Sequence, residues 1–301
     1  MAGVGRCSLH VERGGLTDPH SGLQSGVVLQ CVPIAAHHHR RTPLHYHRGA
    51  VFALDKPVGP SSVQALTALR GEDPALSRAK LGHAGRLDPL AEGLLVVLVD
   101  DENRQARELR RADKTYEVDV LFGVDTDSFD ALGLVRAARP VLVDEGAVRD
   151  RCAAMVGAFA QRVAPFAQVK VNGRSLISYG HAGIDVERPT MERTLYSVNV
   201  TGWREVDGAE IEDDARRRVA RVRGDFRQEA IDARWREATR GQAGARYTVA
   251  SLEVSCSSGT YMRSLAHDLG EAVGVDAIAW RIRRTRAGAM TLHGARTLLL
   301  G

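Results

Sequence analysis

The sequence has few cysteines and no long apolar run. Its four cysteines, Cys7, Cys31, Cys152 and Cys256, lack the spacing of a zinc site or of a disulfide framework. They are interpreted as reduced thiols, which predicts an intracellular, cytoplasmic protein. The longest apolar run, Leu94 to Val99, has the length of a strand and falls far short of the roughly 20 residues that cross a bilayer. No membrane association is expected.

The chain also lacks a strong charge of either sign. Its net charge is +4 over 301 residues, and residues 1–48 supply +3 of it through five arginines against Glu12 and Asp18. The remaining charge does not by itself indicate nucleic-acid binding, so local clusters must carry that argument. No internal repeat is visible, and 44% hydrophobic residues suffice for a core of one large or two small domains.

Residues 1–48 differ in composition from the rest of the chain. They hold seven of the eleven histidines, including His37, His38 and His39, and show no sustained periodicity. We expect a disordered extension or translated upstream sequence. A targeting peptide is the alternative, and it would make the location mitochondrial. The histidines have no carboxylate or cysteine partners at fixed spacing, so no functional metal site is predicted.

Patterning predicts several elements in the remainder. A strand begins at Val51, and Ser61 or Ser62 caps a helix that runs to about Arg70. Apolar residues alternate from Tyr116 to Phe122, which predicts a strand with one apolar face. The other expected elements are a helical segment over 103–112, a helix over 144–160, a strand over 247–254 and a helix that ends near Val273.

A charged segment, residues 204–246, interrupts this pattern with eleven arginines and ten acidic residues. Apolar residues recur three to four positions apart at Val219, Val222, Phe226 and Ala230, which favours an amphipathic helix. Gly224 weakens that helix. The segment is interpreted either as a solvated surface insertion or as an added RNA-binding element.

The most informative segment is residues 82–91, Gly-His-Ala-Gly-Arg-Leu-Asp-Pro-Leu-Ala. Pro89 fixes its own φ and keeps Asp88 out of the helical region. The carboxylate of Asp88 is therefore expected on a stiff loop that leads into a buried strand, which is how a scaffold presents a catalytic group. An aspartate before proline is by itself more often a turn residue.

This segment resembles the signature loop of the TruB family of tRNA pseudouridine synthases, with Ala84 in place of a threonine. Further segments in the family's order carry the same resemblance across residues 54–288. They are Asp-Lys-Pro-Val-Gly-Pro-Ser-Ser at 55–62, the acidic loop at 123–130, the stretch from Pro165 to Gly173, Ser-Ser-Gly-Thr-Tyr-Met-Arg-Ser at 257–264 and Ile-Arg-Arg-Thr-Arg-Ala-Gly at 282–288. Phe166 and Ala167 depart from the family pattern, and Ile282 replaces a leucine. The acidic loop has no calcium-loop spacing and is interpreted as structural.

The resemblance implies an α/β (α+β) pseudouridine synthase fold, with a mixed, largely antiparallel sheet flanked by helices and an RNA-binding cleft across it. It implies isomerisation of uridine to pseudouridine at U55 in the T loop of tRNA, by a monomer that uses neither a metal nor an organic cofactor. The partner is then the T-arm stem-loop. Residues 49–301 would form the catalytic domain, without the complete C-terminal RNA-binding domain of many relatives.

The resemblance also implies roles for three catalytic residues. Asp88 is the essential carboxylate, which stabilises the sugar, bonds to it or takes a proton from C2′. Arg263 pairs with Asp88, which orients the carboxylate and keeps it ionised. Tyr116 stacks on the base, which must be flipped out of the RNA loop.

Other residues are matched to RNA contacts. His83 packs into the gap of the T loop, and Tyr261 and Ile282 line the uracil pocket. Phosphate or other RNA contacts are implied for Lys56, Arg104, Lys170, Arg283, Arg284 and Arg286. From the residues alone, a solvated loop lysine is the favoured interpretation of Lys56, and a basic helix end is as good an interpretation of the arginines at 283–286 as phosphate binding. Arg86 either reaches phosphate or competes with Arg263 for Asp88.

Two other functions remain open at this point. One is a non-catalytic RNA-binding protein or tRNA-folding chaperone on the same scaffold, against which the joint presence of Asp88, Tyr116 and Arg263 argues. The other is a glycosidase-like hydrolase, which requires a second catalytic carboxylate that no motif here supplies.

Overall fold

A computed structural model describes residues 50–298 together with the backbone of two short strands nearer the N-terminus. The strands are β1 (Cys7–His10), β2 (Gln30–Pro33), β3 (Val51–Lys56), β4 (Leu81–His83), β5 (Glu92–Val99), β6 (Lys114–Phe122), β7 (Val124–Thr126), β8 (Val135–Ala138), β9 (Gly157–Arg162), β10 (Lys170–Val171), β11 (Arg174–Ser175), β12 (Thr190–Asp207), β13 (Arg246–Cys256), β14 (Ala277–Ala287), β15 (Met290–Thr291) and β16 (Arg296–Thr297). The α-helices are α1 (Ser62–Glu72), α2 (Ala106–Arg111), α3 (Glu145–Ala154), α4 (Leu176–His181), α5 (Gly208–Val219), α6 (Gln228–Ala238) and α7 (Met262–Ala272). Short 3-10 helices cover Pro74–Leu76 and Asp100–Gln105.

Ten of these strands form one mixed sheet in the order β16-β3-β5-β14-β6-β13-β12-β9, with β4 paired to β5 and β15 to β14. Only the β14–β5 and β16–β3 pairs are parallel among the strand pairs described for this sheet. The expected fold class, a largely antiparallel sheet with flanking helices, is confirmed. The central strand β14 lies between β5 and β6, so it joins the Asp88 region to the strand that carries Tyr116.

Local sequence signals explain why α1 begins where it does. The Ser61 hydroxyl accepts the Gln64 N–H at 3.3 Å, and the Gln64 side chain accepts the Ser61 N–H at 2.8 Å. This reciprocal capping box satisfies two backbone donors that a helix start otherwise leaves unpaired. Ser61 is therefore the cap, and Ser62 is free for another role at the Asp88 loop.

The sheet is covered by helices on both faces. On one face, α3 and α7 pack against alternate residues of β6 and β13, such as Val120 and Leu252. On the other face, α5 and α6 pack Ile211, Ile231 and Trp235 against residues that include Tyr247 and Ile278. Burial on both faces explains the continuous apolar run of β5, whereas β6, β13 and β14 carry polar residues between their apolar ones.

The segment 204–246 is therefore not a mostly solvated insertion. It begins as the end of β12 and continues as two amphipathic helices, each with a buried apolar face. A single helix through Ala230 is also wrong: the chain reverses direction between Val219 and Gln228, and Ala230 is exposed while Ile231 is buried.

Two further sequence expectations need comment. The helix predicted over 144–160 ends at Ala154, and β9 follows from Gly157, whose φ of +120° breaks the helical path. The disorder predicted for residues 1–48 falls mostly outside the described residues. Within them, β1 and β2 form an antiparallel pair.

Candidate active site

Asp88 lies on the loop between β4 and β5, and backbone contacts anchor this loop on both sides of it. The Ser62 hydroxyl accepts the Leu87 N–H at 2.8 Å and donates to the Leu87 carbonyl at 3.1 Å. After Asp88, the Pro89 carbonyl accepts the Gly59 N–H at 2.9 Å. The carboxylate still has 37% of its side-chain surface exposed. The loop therefore fixes an accessible carboxylate, and Ser62 is a positioning residue that the sequence analysis had considered only as a helix cap.

Arg263, in the first turn of α7, holds this carboxylate from within the protein. Its Nε donates to Asp88 Oδ2 at 3.0 Å, and its Nη1 donates to the carbonyls of Ser128 at 2.8 Å and Pro165 at 2.6 Å. Burial alone would lower the pKa of Arg263, but Asp88 and Asp130 outweigh it and raise that pKa above its ordinary value. The arginine is a permanent cation that orients Asp88.

A second carboxylate, Asp130, shares the same guanidinium. Its Oδ2 lies 3.8 Å from Arg263 Nε, and it accepts hydrogen bonds from the Ser128 hydroxyl at 2.5 Å and the Leu132 N–H at 3.0 Å. Burial raises the pKa of Asp130, whereas Arg263 opposes the shift. Because only 10% of its side chain is exposed, Asp130 serves to position Arg263. The acidic loop that the sequence analysis treated as purely structural thus contributes directly to the site.

Tyr116 lies on β6 opposite Arg284 of β14, next to the Asp88 loop. Burial raises the pKa of Tyr116, and the nearby charge of Asp88 adds to this increase while Arg284 opposes it. The phenol is therefore protonated at neutral pH and able to donate a hydrogen bond. Only 9% of the residue is exposed, so part of the ring packs in the core as the pattern of β6 requires.

Arg284 does not have the phosphate-binding position that the resemblance implied. Its side chain is buried, and it donates to the carbonyls of Leu94 at 2.7 Å, Gly85 at 3.0 Å and Arg86 at 3.2 Å. These bonds tie the start of the Asp88 loop to β14 and use the planar fork of the guanidinium. The phosphate prediction for Arg284 is wrong because every part of the side chain faces the protein.

Lys56, at the end of β3, is also buried next to the Asp88 loop. Its Nζ donates to the carbonyls of Pro57 at 2.8 Å and Pro89 at 3.5 Å. Burial lowers the pKa of Lys56 to about 7, although Asp88 and Glu92 oppose the shift. Both sequence expectations, an RNA phosphate contact and a solvated loop lysine, are wrong because the residue has no exposed surface.

Tyr261 and Ile282, the two residues predicted to line the uracil pocket, lie just before α7 and on β14. Tyr261 precedes α7, and its backbone N–H and carbonyl are both held by the Gln161 side chain, at 2.8 and 3.0 Å. Burial raises the pKa of Tyr261, as does the charge of Asp88. Ile282 is partly buried between the core of the α7 face and the core under α1. Gln161, a polar residue in a strand, is a positioning residue that no sequence signal singled out.

His83, on β4, faces a groove between α1 and α2 of about 400 Å³. Its Nδ1 and the Nε of Arg70 are buried without hydrogen-bond partners among the described residues. Burial lowers the pKa of His83, and the cations Arg110, Arg86 and Arg284 lower it further. The ring is therefore neutral at neutral pH in a positive field. Arg86 is exposed and forms no described contact with Asp88, so it does not compete with Arg263.

The remaining basic residues of the prediction are spread over the surface. Arg104 pairs with Asp101 at 3.1 Å, and Arg283 pairs with Asp55 at 2.9 Å. Lys170 is exposed on the small β10–β11 hairpin. The exposed Arg104–Asp101 pair is weak, so Arg104 stays available to a stronger anion, whereas Arg283 is part-buried and has Glu92 as a second carboxylate at 3.8 Å. Their contacts with RNA stay predictions.

The described residues also bear on metal binding and on membrane passage. They contain no group of three or more histidine, cysteine or acidic side chains arranged to hold a metal ion. Within the same residues, no helix combines the length and the apolarity needed to cross a membrane.

Comparison with known proteins places this geometry in a family. The family model for the N-terminal domain of TruB family pseudouridylate synthases matches residues 74–219, which include Asp88 and Tyr116. A tRNA pseudouridine synthase B of Bordetella pertussis is 32% identical over 251 residues, which cover 82% of this chain and 84% of that protein. The chain belongs to the TruB family. The resemblance read from the motifs is thereby confirmed.

Other relatives are longer than the matched region. The tRNA pseudouridine synthases B of Aromatoleum aromaticum and Ralstonia pickettii are 33% and 35% identical over 248 residues, or 82% of this chain. The chain spans 66% and 65% of their lengths, slightly under two thirds. Among solved structures, a Cbf5–Nop10–Gar1 complex matches with a TM-score of 0.52 at 23% identity, over 85% of this chain and 54% of that chain. This likeness concerns the fold.

Proposed function

We propose that the protein converts uridine to pseudouridine in tRNA and that Asp88 is its catalytic carboxylate. The observation that carries the proposal is the Asp88–Arg263 pair, an exposed carboxylate held at 3.0 Å by a buried guanidinium on an anchored loop. Two tyrosines, Tyr116 and Tyr261, lie within electrostatic reach of the same carboxylate. The relatives at 32–35% identity are tRNA pseudouridine synthases, which supports the substrate class.

The reaction is an isomerisation, so its atoms balance without a co-reactant. The bond between N1 of uracil and C1′ of ribose breaks, and a bond between C5 and C1′ forms. C5 loses its proton, and N1 gains one. As the first bond breaks, positive charge develops on the sugar, and a fixed carboxylate stabilises this charge by bonding to it, by Coulomb attraction, or by taking a proton from C2′.

The pocket walls suit a flipped pyrimidine. Asp88 would face the ribose, while the hydrogen bond from Arg263 keeps the carboxylate from turning away. The Tyr116 phenol, protonated at neutral pH, offers a ring edge and a hydrogen-bond donor to the base. Ile282 and the Tyr261 ring supply the apolar side. Unstacking the base costs a few kcal/mol, which contacts with the flipped base must offset.

The finer features of this function follow from the same resemblance. We propose the T-arm stem-loop as the RNA element and U55 as its target. His83 would fill the space left by the flipped nucleotide, because its neutral ring lies in a groove surrounded by cations. A monomeric state and a cytoplasmic location complete the proposal.

The test is an Asp88→Asn variant assayed on a T-arm stem-loop with tritium at C5 of the target uridine. Because C5 exchanges its hydrogen for the bond to C1′, each turnover releases tritium to water. Asp88→Asn keeps the size of the side chain but removes charge, nucleophilicity and basicity. We expect unchanged RNA affinity and no tritium release.

The matched control is Asp276→Asn at the start of β14. Asp276 has a similar exposure, 36%, and an arginine partner, Arg139, at 2.8 Å. It lies at the opposite end of β14 from Arg284, and its variant should keep full activity. Tritium release by Asp88→Asn would exclude the catalytic assignment. RNA binding by the wild type without any release would favour the RNA-binding or chaperone alternative.

A further inference from the structure

The turn between α5 and α6, residues 220–227, lies against the framework of the Asp88 loop; we refer to it as the insertion turn. The Arg221 carbonyl packs so closely on Gly59 that a Cβ there would come within 2.5 Å of it. Gly59 itself donates its N–H to the carbonyl of Pro89, the residue after Asp88. Gly59 therefore contacts both the insertion turn and the Asp88 loop and links the two.

Two other contacts fix the position of the insertion turn. Gln64 in the first turn of α1 donates from Nε2 to the Arg223 carbonyl at 3.1 Å. Arg227 donates to the Asp127 carboxylate at 2.7 Å, and its guanidinium lies 4.6 Å from the centre of the Phe166 ring. Asp127 and Phe166 are next in sequence to Ser128 and Pro165, whose carbonyls accept hydrogen bonds from Arg263. The turn is thus a fixed part of the wall around the site.

The charges of the segment are distributed unevenly. Of the eleven arginines in 204–246, eight form ion pairs with carboxylates of the described chain. The three without a described ion pair are Arg221, Arg223 and Arg240, and all three are exposed. Asp225 is the carboxylate within the turn, and it accepts the backbone N–H of Arg227 at 3.3 Å. Two cations of the turn therefore contribute to no described internal ion pair.

We propose that Arg221 and Arg223 bind phosphates of the RNA while Asp88 acts on the target nucleotide. This inference rests on the proposed function, since it takes the RNA at Asp88 as the ligand. A guanidinium suits phosphate because it presents several N–H donors in one plane. An RNA stem-loop extends far beyond the reach of one aspartate, so its backbone meets the rim that the insertion turn forms. Of the whole segment 204–246, these two residues are the ones that would bind RNA.

The chain provides its own control in Arg240. This arginine is exposed and unpaired like the other two, but it follows α6 at the opposite end of the helical hairpin. The 11 residues of α6 extend about 16 Å, which removes Arg240 from the rim. A purely general effect of net charge would be the same at all three positions, whereas a phosphate contact is local.

The experiment compares four full-length proteins in a salt titration of T-arm stem-loop binding. They are the wild type, Arg221→Gln/Arg223→Gln, Arg221→Lys/Arg223→Lys and Arg240→Gln. Losing two phosphate contacts should flatten the plot of log Kd against log salt by about 1.4–1.8 and raise Kd on the order of tenfold at low salt. The lysine pair should keep the wild-type slope, and Arg240→Gln should match the wild type in both quantities.

An unchanged slope and Kd in the double glutamine variant would overturn the inference, as would a loss in Arg240→Gln of half the double variant's size or more, or no RNA binding by the wild type. If the double variant fails to fold, the single glutamine variants decide instead, each with about half of the change in slope. Tritium release is measured on the same samples. Its absence from the wild type contradicts the proposed function, while the slopes still decide the role of the insertion turn.

Discussion

Three buried basic side chains surround the Asp88 loop, and their N–H groups are satisfied in two ways. Arg263 faces two carboxylates, whereas Arg284 and Lys56 face backbone carbonyls. A carbonyl dipole satisfies the hydrogen bonds of a cation but leaves its charge uncompensated. Arg284 therefore adds positive charge next to the loop, which attracts a polyanion.

Substitutions of Arg284 and Arg286 test which arginine of β14 is structural and which binds RNA. Arg284→Lys cannot reach all three carbonyls, since lysine lacks the planar fork, and we expect a loss of about 3 kcal/mol in the free energy of unfolding. The salt dependence of RNA binding should not change. The exposed Arg286 is the comparison: Arg286→Gln should flatten the salt slope by about 0.7–0.9 with little effect on stability. A flatter slope for Arg284→Lys would restore the phosphate role.

Lys56 predicts an unusual dependence of stability on pH. Its pKa falls from 10.5 in the unfolded chain to about 7 in the folded protein, so the unfolded state binds more protons between these values. Its contribution to stability therefore rises with pH across that window and is unfavourable below it. We expect the unfolding free energy of the wild type, relative to Lys56→Met, to increase by about 1.4 kcal/mol per pH unit above pH 7. Denaturant titrations at several pH values measure this difference, and parallel curves would contradict it.

At the scale of elements, α5 and α6 change from an apparent surface addition to the cover of one face of the sheet. Trp235 has no exposed surface, its Nε1 donates to the Ala131 carbonyl at 3.1 Å, and its ring meets Trp280 edge-on at 5.7 Å. Charge counting obscured this because most arginines and acids of the two helices pair with one another, within a helix or between the two. The apolar residues were visible in the sequence, but what they pack against was not.

Trp235→Ala measures this contribution. Removing a buried tryptophan should lower the free energy of unfolding by about 3–5 kcal/mol. Arg234→Ala, which removes an exposed pair with Glu237, should change it by less than about 1 kcal/mol. Urea titrations measure the free energy of unfolding of both variants, and the two values are comparable when the dependence of that free energy on urea concentration is unchanged. Equal stabilities would mean that the two helices are dispensable, as a solvated insertion would be.

At the scale of the whole molecule, the site draws on residues far apart in the chain. Asp88 and Asp130 come from two loops, Tyr116 from β6 and Arg263 from α7, and β14 lies between β5 and β6 at their centre. The chain between residues 88 and 263 must therefore fold before the catalytic pair exists. Activity is then expected to disappear with the cooperative unfolding of the sheet.

The N-terminal 48 residues supply a prediction at the same scale. All residues of the described core clusters lie at position 50 or beyond. A protein that lacks residues 1–48 should therefore keep a single cooperative unfolding transition and the Asp88-dependent release of tritium. Calorimetry and the tritium assay test both. A broad, non-cooperative melt of the shortened protein would show that this segment belongs to the fold.

The sequence by itself determined the family, the strands β3, β5, β6 and β13, the capped start of α1 and the Asp88–Arg263 pair, but not β9, β12 or the central strand β14. These depend on local patterns, since alternation, caps and glycine–proline loops act over a few residues. The tertiary structure alone decided where Lys56 and Arg284 point, that Asp130 supports Arg263, and that α5 and α6 cover a face of the sheet. The reason is physical: a charged residue looks the same in the sequence whether its side chain lies in water or in the core. Only the packing of the folded chain determines which of the two surrounds it.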